Sequence, residues 1–242
     1  MQYVTIDKQA SGKVAVITMN YKRENRLNPD LMNEIHEALD LIEADADAGA
    51  VVLTGGDPKF FCNGLDLEWL MSNFGEPEKL VDYLVQVNRL YRHIAMFPKP
   101  LIAALNGHTF AGGLFLAGHA DFRFMREDRG WICLPEVDIN IPLLPGMIAV
   151  CRAAMPPASF HKLYYSGGRF TGPQAVEMGF VEAVFPEQDL IPKSVEFAAM
   201  LAAKRTTTFT EFKKRAKADV IRILDEVDPG YLKETLTFTM QR

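Results

Sequence analysis

Two glycine-containing turns and one carboxylate in an apolar stretch are the features of this sequence whose residue types could do chemistry. The turns are Phe60-Phe61-Cys62-Asn63-Gly64-Leu65-Asp66-Leu67 and Asn106-Gly107-His108-Thr109-Phe110-Ala111-Gly112-Gly113, each just beyond a strand-like run. Glycine there lets the main chain approach a ligand, and N–H groups freed at the start of a following helix point outward with partial positive charge. Two such N–H groups that converge make an oxyanion hole, which holds a carbonyl oxygen as it gains negative charge. The carboxylate is Glu136, within Leu134-Pro135-Glu136-Val137-Asp138-Ile139-Asn140-Ile141-Pro142. Apolar surroundings disfavour the charged form, raise the pKa and make such a group acid and base near neutral pH. Asp138 is the competing carboxylate, and taken singly a plain loop turn or a solvated loop glutamate is the alternative for each feature.

These features need strands and helices to hold them. Tyr3 to Ile6, Val14 to Met19 and Ala50 to Thr54 are short, rich in branched residues and bounded by Gly or polar residues, which predicts strands. Leu31, Ile35, Leu39 and Ile42 recur at helical spacing behind Asn28 as N-cap and Pro29 at the first helical position. A second helix, carried by Leu80, Leu84, Val87, Leu90, Tyr91 and Ile94, must stop before Pro98 and Pro100. A strand from Leu101 to Leu105 follows, Asn106-Gly107 turns the chain, Gly112-Gly113 opens a short apolar helix, and Asp121 to Met125 returns as a strand. Beyond Pro145 helices are predicted at Pro145 to Met155, Ala158 to Tyr165, Thr171 to Met178 and from about Glu187 onward. Thr171 and Gln174 form a capping box, and a strand from Phe180 to Phe185 interrupts the series. The expected class is α/β, with residues 1–186 as core and residues 187–242 as a helical region of one functional domain.

With 242 residues, 48% apolar and 24% charged, the composition is that of an ordinary globular protein. A formal charge of −5 and a pI of 5.6 give no global attraction to nucleic acid or anionic lipid, so neither is an expected partner. Cys62, Cys133 and Cys151 make no CxxC pair and cannot all pair within the chain, which fits a reducing compartment. Cys62 has no base partner nearby in sequence and is read as packing. His36, His93, His119 and His161 lack metal-ligand spacing, so no metal is expected. The opening MQYVTIDKQASGK lacks the pattern of a signal peptide, no run of about 18 apolar residues occurs, and the closing TMQR is not an SKL-type address. The expected location is cytoplasmic.

Together, the Phe60 to Leu67 turn, the run Lys99-Pro100-Leu101-Ile102-Ala103-Ala104-Leu105-Asn106-Gly107 leading into Ala111-Gly112-Gly113, and Asp121-Phe122-Arg123-Phe124 form one pattern. With Pro135-Glu136, Phe170-Thr171-Gly172 and Ala175 to Val184, it resembles the crotonase, or enoyl-coenzyme A hydratase/isomerase, superfamily over nearly the whole chain. The resemblance implies a crotonase-like spiral of β-β-α turns capped by C-terminal helices that serve oligomerisation and cover the coenzyme A site. It implies a homotrimer or dimer of trimers, an acyl-coenzyme A substrate and no separate cofactor. The thioester carbonyl would lie between the N–H groups of Leu65 and Gly112, with Asn63, Gly64, Asp66 and Gly113 beside it. Arg26 and Leu27 are the implied coenzyme A contacts, in a loop longer than the common pattern that leaves Lys22 and Arg23 unassigned.

Hydratases of that superfamily use two glutamates, one in the helix after the second glycine turn and one at the place of Glu136. The first position falls here on Phe115. A lone glutamate resembles the Δ3,Δ2-enoyl-coenzyme A isomerases, and Glu136-Val137-Asp138-Ile139 followed by Pro142 resembles their plant-type branch. The implied activity moves a C3–C4 double bond to C2–C3 in fatty-acid β-oxidation, with Glu136 as acid and base and Phe115, Leu134 and Trp131 keeping water out. The alternatives are hydration, thioester hydrolysis or decarboxylation, with a catalytic residue near Asp66, Asn140 or His108, or a non-catalytic acyl-coenzyme A-binding subunit. His108 is expected to line the pocket. Lys213, Lys214, Arg215 and Lys217 are read as a solvated basic helix face, with contact to the coenzyme phosphates as the alternative.

Overall fold

Apolar residues at every position, rather than every second one, mark strands buried on both faces. Such runs form the inner strands of the central sheet of the structure, a computed structural model that describes residues 1–240. In chain order the elements begin with β1 (Val4–Gln9), β2 (Val14–Met19), α1 (Pro29–Ala44), β3 (Ala50–Gly55), β4 (Phe60–Cys62), α2 (Leu67–Ser72) and α3 (Pro77–Met96). There follow β5 (Leu101–Leu105), β6 (His108–Phe110), α4 (Gly112–His119), β7 (Phe122–Arg126), β8 (Ile132–Cys133) and a 3-10 turn at Pro135–Val137. The remainder is α5 (Pro145–Ala154), α6 (Pro157–Ser166), β9 (Arg169–Phe170), α7 (Gly172–Glu177), β10 (Ala183–Phe185), α8 (Glu187–Ala202), α9 (Thr206–Ala216), α10 (Ala218–Arg222), a π-helical segment at Ile223–Val227 and α11 (Asp228–Met240). Gln241 and Arg242, the end of the predicted helical region, lie outside the described residues.

The strands make a six-stranded sheet in the order β1-β2-β3-β5-β7-β10 and a four-stranded sheet in the order β4-β6-β8-β9. Each of β3, β5 and β7 is followed by a strand of the second sheet and then by helix, which is the repeating turn of a β-β-α spiral. One face of the large sheet, with Val14, Val16, Val52 and Ile102, packs on Leu190 and Ala198 of α8. The other, with Ile17, Leu53, Ala103 and Met125, faces the main core with α1, α3 and α4. Asn28 caps α1 by accepting from the Leu31 N–H at 2.9 Å, as its place before Pro29 predicts. The second sheet and α2 are absent from the sequence-based reading, because strands of two or three residues are too short to show alternation.

The basic run at the end of α9 is a solvated face only at Lys214 and Arg215. Lys213 is buried, with its ammonium 2.6 Å from Asp121 and donating to the carbonyl oxygens of Phe97 and Lys99. Lys217 reaches the same carboxylate at 3.1 Å and the carbonyls of His119 and Ala120. Burial holds the Lys213 ammonium down to about 8, against the pull of Asp121. Lys214 and Arg215 are the exposed members of the run and pair with Glu211. Lys213 and Lys217 therefore clamp the C-terminal helices to the end of α4 and the start of β7. Asp121→Ala leaves two inward-facing ammonium groups unpaired, so urea unfolding is expected to show a loss of about 3–5 kcal/mol.

Candidate active site

The first glycine turn is fastened from behind. Gly64, at φ 89°, gives its carbonyl oxygen to the Leu27 N–H at 2.8 Å. Because a trans peptide directs its C=O and N–H to opposite sides, that bond aims the Leu65 N–H away from Leu27. The Leu27 carbonyl is held in turn by the Tyr83 hydroxyl and by the Asp66 N–H at 3.2 Å, and the Asp66 N–H also donates to Tyr83 Oη at 3.0 Å.

The second turn uses backbone strain. Ala111 adopts φ 52° and ψ −124° as N-cap of α4, in a region that costs a residue with a side chain about 1–3 kcal/mol. Its carbonyl oxygen accepts from the Leu114 and Phe115 N–H groups, so the Gly112 N–H on the same peptide points back out of the helix start. The Gly112 carbonyl oxygen accepts from the buried Tyr91 hydroxyl at 2.9 Å. The turns lie against each other: a methyl group at Gly64 would come within 2.8 Å of Ala111 Cβ and 3.3 Å of the Gly112 nitrogen. One at Gly112 would come within 3.1 Å of a Leu65 methyl carbon. Among the described residues, neither the Leu65 nor the Gly112 N–H donates a hydrogen bond.

Both donors border a cavity of about 230 Å³ that also holds Glu136. The Pro135–Val137 turn carries this glutamate inward until 7% of it is exposed. Its Oε2 has no hydrogen-bond partner among the described residues. Burial pushes its carboxyl up to about 7, opposed by its own backbone N–H. Phe115, Leu84, Phe110, Leu144 and Met147 supply apolar walls, and Thr235 of α11 closes one side. Among the described residues, Glu136 is the one carboxylate that lines this cavity.

Of the residues predicted for the site, Arg26, Asn63, Leu65, Gly112, Phe115 and Glu136 meet around the cavity. Arg26 stands at its rim, paired with Glu24 at 2.6 Å, and Asn63 donates to the same carboxylate at 3.3 Å. Leu27, Gly64 and Gly113 form its backbone frame; a methyl group at Gly113 would lie 2.2 Å from the Cys62 carbonyl oxygen. Asp66 differs from expectation: it is buried and caps α2 through the Trp69 N–H, where a short helix needs an acceptor for its first free donors. Leu134 lies behind Glu136 in an adjoining cavity of about 220 Å³ with Tyr164. His108 and Trp131 do not line the Glu136 cavity. They stack on each other at 4.8 Å in a separate cleft with Lys59 and Arg129, so Trp131 cannot shield Glu136. Lys22 and Arg23 pair with Glu68 and Asp57 at the surface. Burial pushes the Cys62 thiol up to about 12, which suits packing and not a nucleophile. Tyr83, Tyr91 and the strained Ala111 were not singled out by sequence, since a tyrosine in an apolar helical stripe looks like core.

The sequence profile described as Enoyl-CoA hydratase/isomerase matches residues 9–229. The chain belongs to that family. It is 33% identical over 207 residues to "Enoyl-CoA delta isomerase 2, peroxisomal" of Arabidopsis thaliana, covering 83% of this chain and 85% of the relative. "Enoyl-CoA delta isomerase 3" of the same plant is 29% identical over 227 residues, or 91% of this chain and 94% of the relative. The fold is that of the crystal structure of human mitochondrial delta3-delta2-enoyl-CoA isomerase, with a TM-score of 0.93 at 22% identity over 98% of this chain and 92% of that one. An enoyl-CoA hydratase from Mycobacterium ulcerans Agy99 superposes with a TM-score of 0.87 at 24% identity, over 96% of this chain and 99% of that one. The α/β fold expected from sequence is thus the crotonase fold. No helix among the described residues of this family member is long and apolar enough to cross a membrane.

The buried carboxylate has a signature in stability. Its pKa lies above that of the unfolded chain, so the folded state holds the proton more tightly; this contribution is fully present below about pH 4.5 and is lost as pH rises through about 7. Glu136→Gln removes the loss. Thermal unfolding at pH 8 is expected to show the variant more stable by up to about 3 kcal/mol, a difference that shrinks towards pH 4.

Proposed function

We propose that the chain is a Δ3,Δ2-enoyl-coenzyme A isomerase, using Glu136 as its acid and base. The observation that carries this reading is one carboxylate, buried among apolar walls, beside two free N–H groups. The Glu136 carboxylate takes a proton from C2 of a 3-enoyl thioester. Electrons move through the C3–C4 double bond to give a dienolate, whose charge on the thioester oxygen meets the Leu65 and Gly112 N–H groups. These donors are oriented before charge develops, so little reorganisation is needed. The Glu136 carboxylic acid then gives its proton to C4, leaving the double bond at C2–C3. Nothing is oxidised, reduced or added overall, so the reaction calls for no cofactor beyond the coenzyme A of the substrate.

Phe115 favours isomerisation over hydration. It fills the place where the superfamily's hydratases resemble one another in a second glutamate, and an aromatic wall there neither activates water nor admits it easily. Relatives named as delta isomerases support the same choice. Arg26 and Asn63 at the rim are suited to the coenzyme part of the substrate, and Thr235 supports α11 as a cover for the acyl pocket. We propose a homotrimer or dimer of trimers as the assembly, to be checked by light scattering.

With 3-hexenoyl-coenzyme A, the product is expected to be the conjugated 2-enoyl thioester of unchanged mass, without 3-hydroxyacyl product. Glu136→Gln is expected to lower kcat by about 10²–10⁴-fold, and near-normal turnover would exclude Glu136 as the base. Since the base must be ionised in the free enzyme, kcat/KM is expected to rise with pH through about 7 and then level off.

A further inference from the structure

We propose that Tyr83 and Tyr91 are positioning residues that set the distance and direction between the two oxyanion donors, with α3 as the ruler. This role rests on the reading of Leu65 and Gly112 as those donors. The tyrosines are eight residues apart on α3, about 12 Å along the helix axis, and both are fully buried. Each hydroxyl reaches the backbone of a different turn. Tyr83 Oη donates to the Leu27 carbonyl oxygen and accepts from the Asp66 N–H at 3.0 Å. Leu27 in turn holds the Gly64 carbonyl at 2.8 Å, on the peptide that carries the Leu65 N–H. Tyr91 Oη donates to the carbonyl oxygen of Gly112 itself at 2.9 Å.

The rings have little freedom to move. Tyr83 stacks on Trp69 of α2 at 4.8 Å between ring centres. Tyr91 stacks on His119, at the far end of α4, at 5.1 Å and meets Phe115 edge-on at 6.3 Å. Burial raises the pKa of both phenols, so both keep the proton they donate. A helix is stiff along its axis, whereas each turn alone is a short loop tolerant of small rotations. Two bonds from one helix to two turns therefore remove a freedom that neither turn controls by itself. The Asp66 N–H held by Tyr83 is one residue from the Leu65 N–H, and the carbonyl held by Tyr91 belongs to Gly112 itself, so small rotations at the tyrosines are transmitted as misaimed donors.

The test reads donor alignment directly. A 2-butenoyl-coenzyme A labelled with ¹³C at the thioester carbonyl is bound to the Glu136→Gln enzyme, and infrared difference spectroscopy gives the carbonyl stretching frequency relative to solution. Tyr83→Phe and Tyr91→Phe are made in that background, and kcat and KM are measured with the same changes in the otherwise native enzyme. The expected result is a lowered frequency in the parent that moves back towards the solution value in both variants. A drop of about tenfold in kcat, with KM within about twofold, should accompany it. Val87→Ala, buried on α3 between the tyrosines, is the control: it should lower the unfolding midpoint and leave the band in place. A lowered parent band that neither phenylalanine variant moves overturns the proposal while leaving the oxyanion assignment intact. So does an equal movement in Val87→Ala. A parent band at the solution frequency overturns the oxyanion assignment and this role with it.

Discussion

Polar groups without partners in an apolar cavity are the constraint on which the rest of this structure depends. A buried donor or acceptor left unsatisfied costs about 1–3 kcal/mol, and a lone carboxylate is discouraged from ionising at all. Here Glu136 Oε2 and two backbone N–H groups face one small cavity without partners among the described residues. Such an arrangement persists only where its surroundings leave no alternative. The carbonyl oxygen of Gly64 is committed to Leu27, that of Ala111 to the first turn of α4, and that of Gly112 to Tyr91, so the peptides cannot turn to satisfy themselves. The apolar walls that bury Glu136 raise its pKa and strengthen any hydrogen bond made inside the cavity.

The reaction reading follows from what borders the cavity as much as from what moves protons. Hydration asks a site to hold and activate water, which calls for polar groups on both sides of the double bond. Phe115, Met147 and Leu144 provide none. A proton moved between carbons two bonds apart asks for a single group with a pKa near neutral, close to both, and shielded from exchange. Glu136 meets the first requirement by burial alone, since no neighbouring charge contributes to its shift.

Much of this was legible in sequence, for reasons that differ by element. The central strands announce themselves because burial on both faces leaves unbroken branched runs such as Val14 to Met19, and α1 because Asn28 and Pro29 mark its start. Glu136 stood out because nearly every neighbour in the chain is apolar. The second sheet did not, since pairing over two or three residues leaves no period to read. Asp66 and Trp131 are expected at the pocket from the resemblance and His108 from its place in the second turn, but none of these signals reports which way a side chain faces. Lys213 and Lys217 resembled a solvated run because the carboxylate they share, Asp121, lies more than ninety positions earlier. Tyr83 and Tyr91 fall in a helical apolar stripe, where periodicity reports the ring and is silent about the hydroxyl.

The central claim is that one shielded carboxylate carries a proton from C2 to C4. It is tested most directly by following that proton. A 3-enoyl-coenzyme A deuterated at C2 is converted in ordinary water for less than one turnover, and the conjugated product is analysed by mass spectrometry and NMR for deuterium at C4. The account predicts that a substantial share of the label removed from C2 appears at C4, because the Glu136 acid returns it before solvent can exchange it. Hydrogen at C4 drawn wholly from water, from the earliest product onward, would contradict it.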